Sequence, residues 1–134
     1  MAAKKITTEF PLAFLNFNDI TFIPLHKNRE NWRGFNQSEI LAEKIAVKHN
    51  FLHHKILARK KNTRTQKDLK KKSREENIKD AFMLSPDFKS SQIKNKNIIL
   101  IDDVVTTGST FLEAAKVLRK NGSGAVLCIA FARD

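Results

Sequence analysis

The run Ile-Ile-Leu-Ile-Asp-Asp-Val-Val-Thr-Thr-Gly-Ser-Thr at residues 98–110 constrains this chain most, because it joins a buried-strand pattern, two adjacent carboxylates and a hydroxyl-rich loop. Residues 98–101 are wholly apolar and mostly β-branched, as expected of a parallel strand covered on both faces. Asp102 and Asp103 follow at its carboxyl end, where open α/β sheets bind ligands. Beyond Val104 and Val105, residues Thr106, Thr107, Gly108, Ser109 and Thr110 offer four hydroxyls, a permissive glycine and the free N–H groups of a helix start. Such a start attracts phosphate. Phe111, Leu112, Ala114, Ala115, Val117 and Leu118 supply a helical apolar face, Asn121-Gly122 is a stop signal, and residues 125–132 read as the next strand. The unit is strand, phosphate loop, helix, strand, an order that suits a sugar phosphate.

Either half of this unit is ordinary alone. An acidic pair ending a strand is often just solvated, and hydroxyls before a helix often just cap it. Their conjunction in this order favours a single cradle. Two other strand-end sites are disfavoured: none of the four glycines, at 34, 108, 122 and 124, begins a G-x-x-x-x-G-K-[ST] loop, and the dinucleotide fingerprint is missing.

At 134 residues the chain reads as one domain, large enough for a real core but small for a complete α/β enzyme. The single cysteine, Cys128, excludes an intrachain disulfide and a cysteine-rich zinc site, and its place in the last strand predicts a small core residue. No apolar stretch reaches the length of a membrane span and no convincing signal-peptide core follows the first residues, so a cytoplasmic location is expected. The formal charge is +11, unevenly distributed: residues 55–79 hold eleven Lys/Arg against three acids, a net +8. That field would gather polyanions, whether a pyrophosphate substrate, RNA or single-stranded DNA, and charge does not choose among them or against a solvated loop.

Residues 1–18 form a lead-in whose Phe10, Leu12, Phe14, Leu15 and Phe17 are available to cover a core edge. Residues 20–25 read as the first strand, followed by basic His26-Lys27-Asn28-Arg29. A helix is predicted over roughly residues 37–49, with Ile40, Leu41, Ile45 and Ala46 as its apolar stripe and Asn36 or Ser38 as its cap. Residues 56–59 and 81–84 are short strands flanking the basic loop, and residues 85–97 are a polar connection. The four histidines follow no metal-ligand spacing, and His49 near a helix end suits a dipole contact.

The segment Asp-Asp-Val-Val-Thr-Thr-Gly-Ser-Thr closely resembles the 5-phosphoribosyl-1-pyrophosphate (PRPP) signature of type I phosphoribosyltransferases. Phe22-Ile23-Pro24-Leu25-His26, Arg33-Gly34-Phe35-Asn36-Gln37, Thr65-Gln66 with Leu69 and Arg74, the PRPP loop and Ala130-Phe131-Ala132-Arg133 narrow the resemblance to ComF-type competence proteins, in the same order. It runs over residues 20–133. The four-cysteine zinc module that this group often carries ahead of the first strand has no counterpart here, so a naturally short version and a truncated reading frame are both open.

The resemblance implies an α/β fold of the type I phosphoribosyltransferase kind: a mainly parallel sheet flanked by helices, with a short antiparallel pair at the flexible loop. It implies that Asp102 and Asp103 hold the ribose hydroxyls and help orient Mg²⁺ through water and ligand, while Thr106, Thr107, Gly108, Ser109 and Thr110 hold the 5-phosphate. Leu25, His26, Lys27 and Arg29 take the place of the pyrophosphate loop, with Arg33 and Asn36 beside it, and Asn36 as a plain helix cap is the alternative. Arg64, Thr65 and Gln66 fall in the segment that closes over PRPP, Arg64 in a catalytic role. The implied activity is Mg²⁺-dependent phosphoribosyl transfer to an unidentified base or amine, with a place in DNA uptake beside single-strand-handling or helicase-type partners, and a homodimer among the expected assemblies. A non-catalytic adaptor on the same fold, binding single-stranded DNA through residues 55–79, is the alternative.

Overall fold

Ile98, Ile99, Leu100 and Ile101 are all fully buried, and the sheet is built around them. The computed structural model describes residues 16–25, 34–60 and 78–133. Strand β1 (Asp19–Phe22) is followed by helix α1 (Gln37–His49) and the two-residue strand β2 (Leu52–His53). Next, β3 (Leu57–Arg59) and β4 (Phe82–Leu84) make a separate antiparallel pair, and a 3-10 turn spans Ser90–Gln92. A last unit comprises β5 (Ile98–Val105), α2 (Ser109–Lys120) and β6 (Val126–Arg133). The first and last units supply one four-stranded parallel sheet in the order β2-β1-β5-β6. From β1 the chain steps outward to β2, and from β5 outward to β6, so the strand order reverses between β1 and β5. In open α/β sheets such a reversal marks where ligands bind, beyond the carboxyl ends of the strands.

Side chains alternate across β5 and divide the core in two. Ile98 and Leu100 pack with Ala114 and Leu118 of α2 and with Ile56, Leu57 and Phe82 from the antiparallel pair. Ile99 and Ile101 pack with Ile20 and Phe22 of β1, Ala42, Ile45 and Ala46 of α1, and Ile129 of β6. Each fully buried aliphatic side chain contributes roughly 1.5–3 kcal/mol over exposure, so β5 is the energetic centre of the domain. Phe17, from the end of the lead-in, covers the second cluster as expected. Among the described residues no helix is long and apolar enough to cross a membrane.

The structure corrects several local expectations. The first strand stops at Phe22 rather than at residue 25. Ile23 N–H still donates to Ile101 C=O at 2.8 Å, but Pro24 has no N–H to continue the ladder. Strand β2 has no counterpart in the sequence reading, because two residues are too few to display a period. The buried face of α1 is Ser38, Ala42, Ile45 and Ala46, with Ile40 and Leu41 on its flank, since the small side chain of Ala42 lets the helix settle against the sheet. On α2, Leu112 is 60% exposed instead of packed. Cys128 is exposed and not a core residue, because β6 is the outermost strand of the described sheet and only Ile129 along it is fully buried. The predicted positions His26, Lys27, Arg29, Arg33, Arg64, Thr65 and Gln66, residues 1–15 of the lead-in and residues 61–77 of the basic segment lie outside the described residues.

Candidate functional site

Asn36 ties the start of α1 to Ile23, just past the end of β1. Asn36 has extended backbone angles and its Oδ1 accepts the Ser38 N–H at 3.0 Å, the geometry of a helix N-cap. Its Nδ2 donates to Ile23 C=O at 3.1 Å, so both ends of this buried side chain are engaged. The amino end of α1 is thereby held over the carboxyl ends of β1 and β5. Ser38, in the first turn, reaches across 64 residues of sequence and donates from Oγ to Asp102 Oδ1 at 3.1 Å.

Asp102 and Asp103 lie within β5, which continues to Val105, and from Asp102 onward β5 pairs with β6 alone. The same Asp102 Oδ1 accepts the Asp103 N–H at 2.9 Å, and that N–H also lies 3.2 Å from Ser38 Oγ. Asp103 Oδ1 in turn accepts the Val104 N–H at 2.9 Å. Burial, followed by the hydrogen bond and charge of the neighbouring Asp103, pushes the Asp102 carboxyl up to about 7, against the smaller opposing pull of the Ser38 hydroxyl and the Asp103 N–H. A carboxyl that changes charge near neutrality can carry a proton or meet a cation at working pH.

Past β5, residues 106–108 form the bend that opens α2. Gly108 has φ +84°, a left-handed conformation that side chains resist, and a Cβ there would meet nothing within 4 Å. Glycine is therefore required by the backbone angle, and the loop is open on that side. Thr107 Oγ1 sits 2.9 Å from Ser109 Oγ and accepts the Ser109 N–H at 3.3 Å. The N–H groups of Thr110 and Phe111 have no hydrogen-bond partner among the described residues. Free N–H groups at the positive end of a twelve-residue helix are a ready anion cradle.

The sequence-predicted positions divide cleanly. Asp102 and Asp103 in β5 and, after Val104 and Val105, Thr106, Thr107, Gly108, Ser109 and Thr110 leading into α2 are all half-buried. Leu25 is half-buried just past β1, and Asn36 is buried at the α1 cap. Ser38 is the contributor that sequence reasoning missed as a site residue, its only signal being its place as an alternative cap. Two adjacent carboxylates, one of them held toward its neutral form by burial and by its neighbour, fit a hard divalent ion such as Mg²⁺, which would relieve that repulsion.

Residues 32–134 match the family model of the phosphoribosyl transferase domain. Competence protein F of Haemophilus influenzae is 37% identical over 101 residues, covering 75% of this chain and 43% of that protein. The DNA utilization protein YhgH of Escherichia coli K12 is 36% identical over 111 residues, 80% of this chain and 45% of that protein. Competence protein ComFC of Bacillus subtilis is 38% identical over 103 residues, 77% and 39% respectively. The chain thus spans less than half the length of each of these relatives. Among solved structures, phosphoribosylpyrophosphate synthetase from Mycobacterium smegmatis superposes with a TM-score of 0.54 over 98% of this chain and 33% of that one, at 20% identity, a likeness of fold alone.

Proposed function

Because the chain belongs to the phosphoribosyl transferase domain family, within it resembling the ComF-type competence and DNA utilization proteins, we propose that it binds PRPP with Mg²⁺ at the crevice between β1 and β5 and transfers the phosphoribosyl group to an acceptor base or amine. The observation that carries this reading is the continuity of the acidic pair with the uncapped amino end of α2, at the point where the strand order reverses. Asp102 and Asp103 face the ribose hydroxyls, and Thr107, Ser109 and the N–H groups of Thr110 and Phe111 receive the 5-phosphate. Breaking the bond from ribose C1 to pyrophosphate builds positive charge on the sugar and negative charge on the leaving group, by analogy with glycosyl transfer. The carboxyl groups of Asp102 and Asp103 stabilise the first. Mg²⁺, when bound through Asp102 and Asp103, supplies neutralisation of the second.

Pyrophosphate falls to Leu25, His26, Lys27, Arg29 and Arg33, with Asn36 fixing the start of α1. Arg64, Thr65 and Gln66 belong to the segment between β3 and β4 that covers the sugar and keeps water from it. Ser38 orients Asp102 through its 3.1 Å hydrogen bond.

Calorimetric titration of PRPP tests the site. Saturable binding that requires Mg²⁺ and vanishes in Asp102→Asn/Asp103→Asn is expected, and undiminished binding in that variant overturns the assignment. The net +8 of residues 55–79, together with relatives named for DNA utilization, favours a second reading as a single-stranded DNA adaptor. That reading predicts binding to an oligonucleotide that weakens steeply with salt and falls when Lys70, Lys71 and Lys72 are neutralised.

A further inference from the structure

We infer that Glu39, Glu43 and His53 form a binding site for a divalent transition-metal ion, separate from the acidic pair on β5, with zinc as its natural probe. One ligand atom from each of these residues lies within 4.8 Å of the other two. Glu39 and Glu43 are four apart on α1 and so share one helix face, while His53 comes from β2. The imidazole is fixed in orientation by stacking on the buried Phe22, with centroids 5.5 Å apart and planes inclined by 20°.

Two features single this cluster out from a solvated acidic face. His53 Nε2 is sealed from solvent without a hydrogen-bond partner among the described residues. A buried ring nitrogen is seldom left in that state unless it has another purpose. The two glutamates likewise make no ion pair or hydrogen bond among the described residues, although the chain carries a net charge of +11. A favourable helix-dipole contact accounts for Glu39 in the first turn, but it explains neither Glu43 nor the orphaned nitrogen.

The donor set selects the ion. One imidazole nitrogen and two carboxylates neutralise a 2+ charge and suit zinc, with water in the fourth position, whereas Mg²⁺ and Ca²⁺ favour oxygen alone. Ligands of a tetrahedral zinc ion stand about 3.3 Å apart. The three ligand atoms already lie within 4.8 Å of one another, and the exposed Glu43 side chain leaves room for the adjustment to that separation. The ion would clamp β2, at the edge of the sheet, to α1, the helix whose Ser38 holds Asp102.

The test uses metal-free full chain in the Asp102→Asn/Asp103→Asn background, so that the acidic pair adds no binding and failure here leaves the PRPP reading untouched. Calorimetric titration with zinc chloride is expected to show one saturable equivalent and a raised Tm. Glu43→Gln and His53→Gln should each weaken binding by at least about 10-fold and abolish the Tm shift, whereas His49→Gln should leave both unchanged. Far-UV circular dichroism identifies a variant that has lost its fold, and Glu43→Gln, on the exposed helix face, keeps the test decisive if His53→Gln does not fold. Absence of a saturable equivalent, or affinity unaltered by Glu43→Gln, overturns the proposal.

Discussion

Replacing Asp102 with asparagine should stabilise the protein at pH 8 while weakening the proposed PRPP binding. The folded carboxyl stands at about 7 against a reference of 3.8, mainly because burial disfavours its charge and secondarily because of Asp103. In the unfolded chain it ionises near the reference value, so between about 3.8 and 7 the folded state holds a proton that the unfolded state has released. Stability from this residue is therefore fully present below the lower value, falls as pH rises through the window, and stays low above it. About three pKa units at 1.36 kcal/mol each set a ceiling of about 4 kcal/mol for the loss. The substituted amide would keep an oxygen to accept from Ser38 and from the Asp103 N–H, and would place a neutral group rather than a charge beside Asp103. Urea unfolding followed by circular dichroism should thus show the variant more stable than wild type by on the order of 2–4 kcal/mol at pH 8, with most of the gap closed at pH 4. Equal or lower stability of the variant at pH 8 would refute the reasoning, since it would mean that ionised Asp102 is not a burden that the fold carries for a ligand.

Other outcomes follow from the same contacts. Asn36→Ala removes the α1 cap and leaves Ile23 C=O without its side-chain donor, so a loss of about 1–3 kcal/mol is expected in chemical denaturation, with weakened PRPP binding as the helix start loosens. Gly108→Ala meets no steric obstacle but must hold φ near +84°, which should cost about 1 kcal/mol in thermal unfolding and weaken phosphate binding more than nucleoside binding. Ser38→Ala deletes the donor to Asp102, so the pH at which PRPP binding reaches half its maximum should move upward in a calorimetric pH series.

The strand of residues 98–101, the loop at residues 106–110 and both long helices were legible in the sequence because each is specified locally. A continuous apolar run, a glycine at a left-handed turn and a helical period all act over a few residues. The α1 bounds were readable for the same reason, with Asn36 or Ser38 as the cap, of which the structure uses Asn36, and an apolar periodicity up to His49. Legibility failed where burial depends on what lies across the sheet. Periodicity alone could not show that Ala42 rather than Ile40 faces the core, or that an outer position in the sheet leaves Cys128 exposed. The His53 cluster was invisible for a related reason: its glutamates lie on a helix and its histidine on a strand, and no linear spacing of histidines records their meeting.

By itself, the sequence determined which segments form strand, cradle and helix, and it placed two carboxylates and a run of hydroxyls side by side, because their adjacency is covalent. Only the tertiary structure decided what surrounds them. Pairing β1 with β5 brings Ser38 to Asp102 across 64 residues of chain, and burial in the assembled fold, with Asp103 beside it, raises the carboxyl's pKa against the smaller pull of the Ser38 hydroxyl. Those effects arise from low dielectric and close packing, properties of the assembled sheet and of no single segment within it.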